Sequence, residues 1–304
     1  MNSSISANCL IDVEGFIDRV TLKTIAFHSC LLAHMAYAQV VEMTAQLQIK
    51  DIRIDGYAQP IVLRSFRSSA SETLPVVLYF HGGGFVGGGL ADTAALASVL
   101  ANKVPAWVIA VGYSLAPEFP FPSAAEDAYL ALQWVVGAAP AHHADGSRVA
   151  AVGHDAGGNI AAALGAVARD RAGVQVTAQV LLAPMLDPSM SRLLHPAFAD
   201  ACKPGPEDCS RAYRAYLPLV AQRMHPYAAP LESKRLRNLP PTLIATAERD
   251  IARADGEVFA RELISSGVPV EITRYGGATH DGLVSHESAL ADTVAFLRRR
   301  LAAG

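Results

Sequence analysis

From about residue 60 onward short apolar runs alternate with helical stretches, and no other feature of the chain constrains its fold as much. The runs are Val76 to Phe80, Trp107 to Val111, Val149 to Val152, Val176 to Leu182, Thr242 to Ala245 and Val268 to Tyr275. Continuous apolar runs of this length cannot keep one face in water, so they predict strands of a parallel sheet covered by helices on both faces. Ahead of them, Leu47 to Asp55 and Pro60 to Phe66 alternate polar and apolar residues, as a half-exposed antiparallel pair does. Residues 14 to 46 have helical spacing, whereas 187 to 240, rich in Pro and Tyr, break the rhythm. The expected organisation is one α/β domain, 49–304, with an insertion at about 187–240 above the strand ends, preceded by a helical segment, 1–48.

Composition narrows the class. The chain has 304 residues, 51% hydrophobic and 17% charged, which is enough apolar surface for a large core and excludes wholesale disorder. A formal charge of -3 argues against nucleic acid as a partner. The apolar stretch Leu31 to Val41 is broken by His34 and Gln39, so neither a signal peptide nor a membrane span is expected, and a cytoplasmic location fits. Four cysteines, Cys9, Cys30, Cys202 and Cys209, are too sparse for a disulfide framework and lack zinc spacing. Cys202 and Cys209 could form a local bridge, although a free pair is the plainer expectation. No cofactor and no metal are expected.

Two glycine-rich turns carry the chemistry. The strand ending at Phe80 runs into His81, Gly82, Gly83, Gly84 and Phe85. Successive glycines after a strand leave backbone N–H groups unshielded, and such donors can cradle an oxyanion. The strand Arg148 to Val152 runs into Gly153, His154, Asp155, Ala156, Gly157 and Gly158, with a helical stretch from Ile160. Small residues on both sides of a central position are what a strained strand–turn–helix elbow needs, and its centre normally holds a nucleophile. Here that centre is Asp155. Asp250 follows the strand Thr242 to Ala245, and His280 lies on the loop after the last strand, so nucleophile, acid and histidine come in the order of an α/β-hydrolase triad.

Further motifs extend the pattern: Tyr113-Ser114-Leu115-Ala116-Pro117-Glu118, Glu126-Asp127-Ala128, Pro226-Tyr227-Ala228 and Ala247-Glu248-Arg249-Asp250. With His81 to Phe85 and Gly157-Gly158-Asn159 they make the chain resemble the hormone-sensitive-lipase-like branch of α/β hydrolases over nearly all of residues 60 to 300. The resemblance implies a mostly parallel eight-stranded sheet with helices on both faces and a helical cap. It also implies an oxyanion hole from Gly83, Gly84 and the amide of Ala156, with His280 as base and Asp250 as its orienting acid. A small-molecule substrate follows, and two copies of the chain could pair through the last strand and helix. Glu118, Glu126 and Asp127 match structural hydrogen-bonding positions; His142 and His143 read as solvated loop residues.

One departure lies at the centre. The branch usually carries Gly-Asp-Ser-Ala-Gly-Gly at the elbow, where this chain has His154 and Asp155. That pair resembles the elbow of epoxide hydrolases and haloalkane dehalogenases, whose nucleophile is an aspartate. A carboxylate attacking an ester gives an adduct that can expel either the carboxylate or an alkoxide. The two leaving groups differ by ~12 pKa units, roughly 16 kcal/mol, unless the alkoxide is protonated. Attack at the saturated carbon of an epoxide avoids this, leaving an Asp155 ester for His280 and water to cleave. In a second reading Asp155 is a general base on water in ester or lactone hydrolysis, and His280 protonates the leaving group. A third reading is a catalytically lapsed, ligand-binding homologue. Tyr213, Tyr216 and His154 are further candidates for substrate or cap contacts, with ordinary packing the alternative for the tyrosines.

Overall fold

The computed structural model describes residues 47–68, 72–193 and 204–303. Eight strands form one sheet: β1 (Leu47–Asp55), β2 (Pro60–Ser68), β3 (Leu74–Phe80), β4 (Trp107–Gly112), β5 (Ala144–His154), β6 (Ala178–Leu182), β7 (Thr242–Arg249) and β8 (Val270–Thr279). Their spatial order is β1-β2-β4-β3-β5-β6-β7-β8. β2 pairs antiparallel with both β1 and β4, and every pairing from β4 to β8 is parallel. The helices are α1 (Ala94–Lys103), α2 (Ser123–Ala138), α3 (Ala156–Asp170), α4 (Pro206–Tyr216), α5 (Arg253–Ser265) and α6 (Glu287–Arg300).

The apolar runs are continuous because the sheet is buried on both sides. Val76, Leu78 and Phe80 of β3 join Trp107 and Ile109 of β4 and Ala151 of β5 in a core shared with α2, α3 and α5. Their neighbours Val77, Tyr79, Val108, Ala110 and Val152 face a second core closed by α1 and α6. Each buried Val, Leu, Ile or Phe contributes about 1.5–3 kcal/mol relative to exposure, so both layers are needed to hold the central strands. β1, at one edge, is different: Lys50, Asp51, Arg53 and Asp55 are exposed, and charges along an edge discourage pairing with another sheet.

In a parallel sheet the C-terminal strand ends share one side, and crevices form there. The turns after β3, β5, β7 and β8 therefore emerge together. The expected cap segment 1–48 lies outside the described residues up to 46; residue 47 already belongs to β1. Of the insertion expected at 187–240, residues 187–193 and 204–240 are described and contain α4. Among the described residues no helix is long and apolar enough to cross a membrane. Cys209 is a free, buried thiol, and its candidate partner Cys202 lies outside the described residues. His142 departs from the solvated reading, since its ring stacks on Trp107 at 4.5 Å. Asp127 accepts hydrogen bonds from the amides of Tyr57 and Ser114, the structural role expected of it.

Candidate active site

The elbow is built by backbone crowding. Asp155, between β5 and α3, has φ 56° and ψ -119°, a conformation that costs a non-glycine residue of order 1–3 kcal/mol. Three amides converge on its carbonyl: Gly158 N at 3.0 Å, Met185 N at 3.2 Å and Asn159 N at 3.3 Å, while its own N–H donates to Leu182 O. Glycine at 157 is obligatory here. A Cβ at that position would fall 2.1 Å from Phe80 O, so the start of α3 can pass under the β3 turn only without a side chain. The β3 turn is shaped likewise, with Gly83 at φ 116° and Gly84 at φ 59°.

Those two turns meet. Gly83 N and Gly84 N both donate to Asp155 Oδ2 at 2.8 Å, so the donor pair expected to receive a substrate oxygen is filled by the elbow's own carboxylate. Ala156, the third expected donor, is the first residue of α3, where helix amides have no intrahelical partner. The other oxygen, Oδ1, lies 3.4 Å from His280 Nε2. That is an ion-pair distance, and Oδ1 has no hydrogen-bond partner among the described residues. On its far side His280 bonds through Nδ1 to Asp250 Oδ2 at 2.9 Å, and Asp250 Oδ1 accepts from Ala252 N at 2.9 Å. Asp155, His280 and Asp250, far apart in sequence, are thus in one line and almost fully buried, at 5%, 2% and 1% exposure.

The charges follow from this geometry. Burial pushes the Asp155 carboxyl up, but the contact with His280 and its charge, with smaller help from the neighbouring His154 and the Gly84 amide, outweigh it and hold the group well below its usual range. Burial likewise pushes the His280 imidazole down, and its contacts with Asp155 and Asp250 and their charges overcome it, holding the ring well above its usual range. Both shifts favour a carboxylate on Asp155 and an imidazolium on His280. A resting imidazolium cannot accept a proton; it can give one.

The remaining candidates fall elsewhere. A cavity of about 300 Å³ at the triad is lined by Gly83, Gly84, Val86, Met185, Cys209 and Arg211, among others, and includes neither tyrosine nor His154. Tyr216 stacks on Phe85 at 3.9 Å, Tyr213 packs at 5.9 Å from the same ring, and both are buried. His154 is turned into the protein, its Nε2 3.1 Å from the carbonyl of His280. Among the described residues these three pack inside the protein and do not line this cavity. A wider depression of about 580 Å³ along Arg237–Leu239 and Ser265–Pro269 holds no titratable group except Arg237.

Three features were not visible in the sequence. Met185 and Arg211 become cavity walls only through the loop after β6 and through α4. Asp187 and Asp255, both buried, lie together near the triad, and burial and then the Asp187 charge push Asp255 up to about 7. The fold also brings His154, His280 and Asp281 within 4.8 Å of one another, a grouping that linear spacing does not reveal. Both imidazoles already have hydrogen-bond partners in the protein.

Comparison with known proteins agrees with this architecture. Residues 77–284 match a family described as alpha/beta hydrolase fold. The chain is 32% identical to an arylesterase of Saccharolobus solfataricus over 269 residues, 87% of this chain and 85% of that protein. An alpha/beta hydrolase of Acanthamoeba polyphaga mimivirus is 33% identical over 212 residues, 69% of this chain and 61% of that protein. Among solved structures, a hyperthermophilic esterase from the archaeon Pyrobaculum calidifontis superposes with a TM-score of 0.79 at 33% identity, covering 87% of this chain and 90% of that one. Sheet order, turn placement and these likenesses together show that the chain belongs to the α/β hydrolase fold family, in its hormone-sensitive-lipase-like branch.

Proposed function

We propose that the protein hydrolyses small carboxylic esters or lactones, with Asp155 as general base on water and His280 as the acid that protonates the leaving alkoxide. The observation that carries this reading is the placement of His280 between two buried carboxylates, 3.4 Å from Asp155 Oδ1 and 2.9 Å from Asp250 Oδ2. An acid held ready at that point spares the reaction a free alkoxide, whose conjugate acid has a pKa near water's ~15.7. Water bound at Oδ1, the carboxylate oxygen without a hydrogen-bond partner, would lose its proton to Asp155 as it attacks the carbonyl carbon. The tetrahedral carbon then releases the alkoxide as His280 Nε2–H protonates it. The proton on Asp155 returns to His280, which closes the cycle. The esterases among the relatives support an ester as the substrate class. For the substrate carbonyl to use the Gly83 and Gly84 amides, Asp155 Oδ2 has to turn away from them.

A second reading is supported by that same occupancy. If Asp155 is the nucleophile of an epoxide-type reaction, Oδ1 is the attacking atom and Oδ2 stays in the donor pair. There the two amides would stabilise the oxyanion formed when water cleaves the alkyl-enzyme ester. One experiment separates the two. Single turnover with excess enzyme in heavy-oxygen water, on a short aryl ester and on an epoxide, is followed by peptide mass analysis. The base reading expects label in the product alone; label in the peptide that carries Asp155 overturns it in favour of the covalent route.

A further inference from the structure

Asp155 has a neighbour the proposed reaction does not use. His154 is the last residue of β5, 7% exposed, and its ring centroid lies 4.9 Å from that of His280. Its Nε2 is 3.1 Å from the His280 carbonyl, a backbone atom on the loop that carries the catalytic imidazole. A carbonyl only accepts, so Nε2 carries the proton. The other nitrogen, Nδ1, faces Gly82, at which any Cβ would sit 2.8 Å from it. The ring is thereby wedged between the β3 turn and the β8 loop, the two segments that must converge on Asp155.

We propose that His154 is a positioning residue: its Nε2–H holds the His280 backbone so that the His280 ring spans Asp155 and Asp250. The proposal rests on His280 as the proton donor of the reaction above. Three facts about this place support it. His280 has 3.4 Å on one side and 2.9 Å on the other, so a small displacement of its loop breaks the ion pair before the Asp250 bond. Burial and then the His280 charge hold the His154 imidazole below its usual range, which disfavours a second cation beside His280. The groups facing His280 are Asp155 from the elbow, Asp250 from the turn after β7, His154 from β5 and Asp281 on its own loop. A carboxylate at position 154 would stand beside Asp155 in a buried site, where two like charges resist ionising together. The His154 and Asp155 departures thus form one physical unit: a carboxylate at 155 calls for a neutral donor at 154.

The test compares His154→Gln, whose amide can reach the same carbonyl, with His154→Phe, which keeps the ring and loses the donor. Each variant is followed by thermal melting, by ester turnover and by NMR titration of the His280 ring. We expect the Phe variant to lose about 100-fold in kcat with little change in KM, since misplacement of this order has that effect. Its His280 titration should move down toward the ordinary histidine range, while the Gln variant stays close to the parent in both. If the Phe variant fails to fold, His154→Asn replaces it, because that amide is too short to reach the carbonyl. Equal behaviour of the donor-bearing and donor-lacking variants, in turnover and in titration, overturns the proposal. Should the parent show no ester turnover, the proposed function fails, and the His280 titration alone decides the positioning role. A cycle with Asp155→Ser completes the test. His154→Asp should harm the parent and be tolerated or beneficial in the Asp155→Ser background; equal harm in both backgrounds contradicts the coupling of the two positions.

Discussion

The two ends of the candidate site follow different rules. At the β7–β8 end, Asp250 and His280 form the acid–histidine pair that a serine hydrolase of this fold would use. At the β3–β5 end, the turn glycines are poised as an oxyanion hole, yet a carboxylate occupies both the elbow and the hole. A histidine's role is set by what faces it. Opposite a neutral hydroxyl the same pair would be a base; opposite Asp155 it is an imidazolium, available as an acid.

Removing the carboxylate should have the largest effect on this end of the site. Asp155→Ala should lower turnover of the parent's substrate by about 10⁴-fold, the scale seen when a central catalytic group is deleted. Asp155→Ser should empty the Gly83 and Gly84 donors and gain weak activity on short aryl esters, assayed by aryl-alcohol release. The pH profile should also invert. The parent, using His280 as an acid, should be flat through neutrality and lose activity only at alkaline pH, while the Asp155→Ser variant should lose activity on the acid side, where its histidine becomes protonated. A parent that turns over nothing, beside an Asp155→Ser variant that does, would make this a lapsed esterase site.

Asp250→Asn sharpens the other end. With one carboxylate gone, His280 should fall toward the ordinary histidine range. The alkaline limb of the rate profile should then move to lower pH, with about 10²-fold less turnover at neutral pH. An unmoved limb would mean that Asp250 does not set the protonation of His280.

A smaller effect is expected behind the site, at the Asp187–Asp255 pair. Asp255 is raised to about 7 from 3.8, so the folded protein binds a proton that the unfolded chain has released, and stability should fall as pH rises from about 4 to 7. Asp255→Asn should therefore be nearly neutral at pH 4 and stabilising by about 2 kcal/mol at pH 8, measured by thermal melts at both values. A pH-independent difference would remove the buried-proton account. Smallest of all should be the response to a chelator. The candidate chemistry uses carboxylates, an imidazole and amides, and EDTA should leave turnover unchanged; loss restored by one metal would overturn the triad.

Much of this was legible in the residues themselves. Unbroken apolar runs required a sheet buried on both faces, and strand ends at Phe80, His154 and Arg249 placed the chemical groups on one rim, because parallel strands share a direction. Gly153, Gly157 and Gly158 announced the elbow, since backbone packed that closely excludes side chains. Motif order alone singled out Asp155, Asp250 and His280 as candidates, and the fold brings them together. Tertiary structure decided what linear order cannot contain: distance and direction. Which oxygen of Asp155 turns into the Gly83 and Gly84 amides, whether His280 rests with its proton, and whether His154 looks toward the cavity or toward a backbone carbonyl depend on contacts between segments far apart in the chain. Tyr213 and Tyr216 make the same point from α4: helical spacing placed them near each other, and only the packing of Phe85 decided that they bury their rings instead of lining the cavity. Ionisation and orientation are properties of the assembled neighbourhood, where desolvation and opposing charge compete within a few ångströms, and the chain order of residues does not carry those distances.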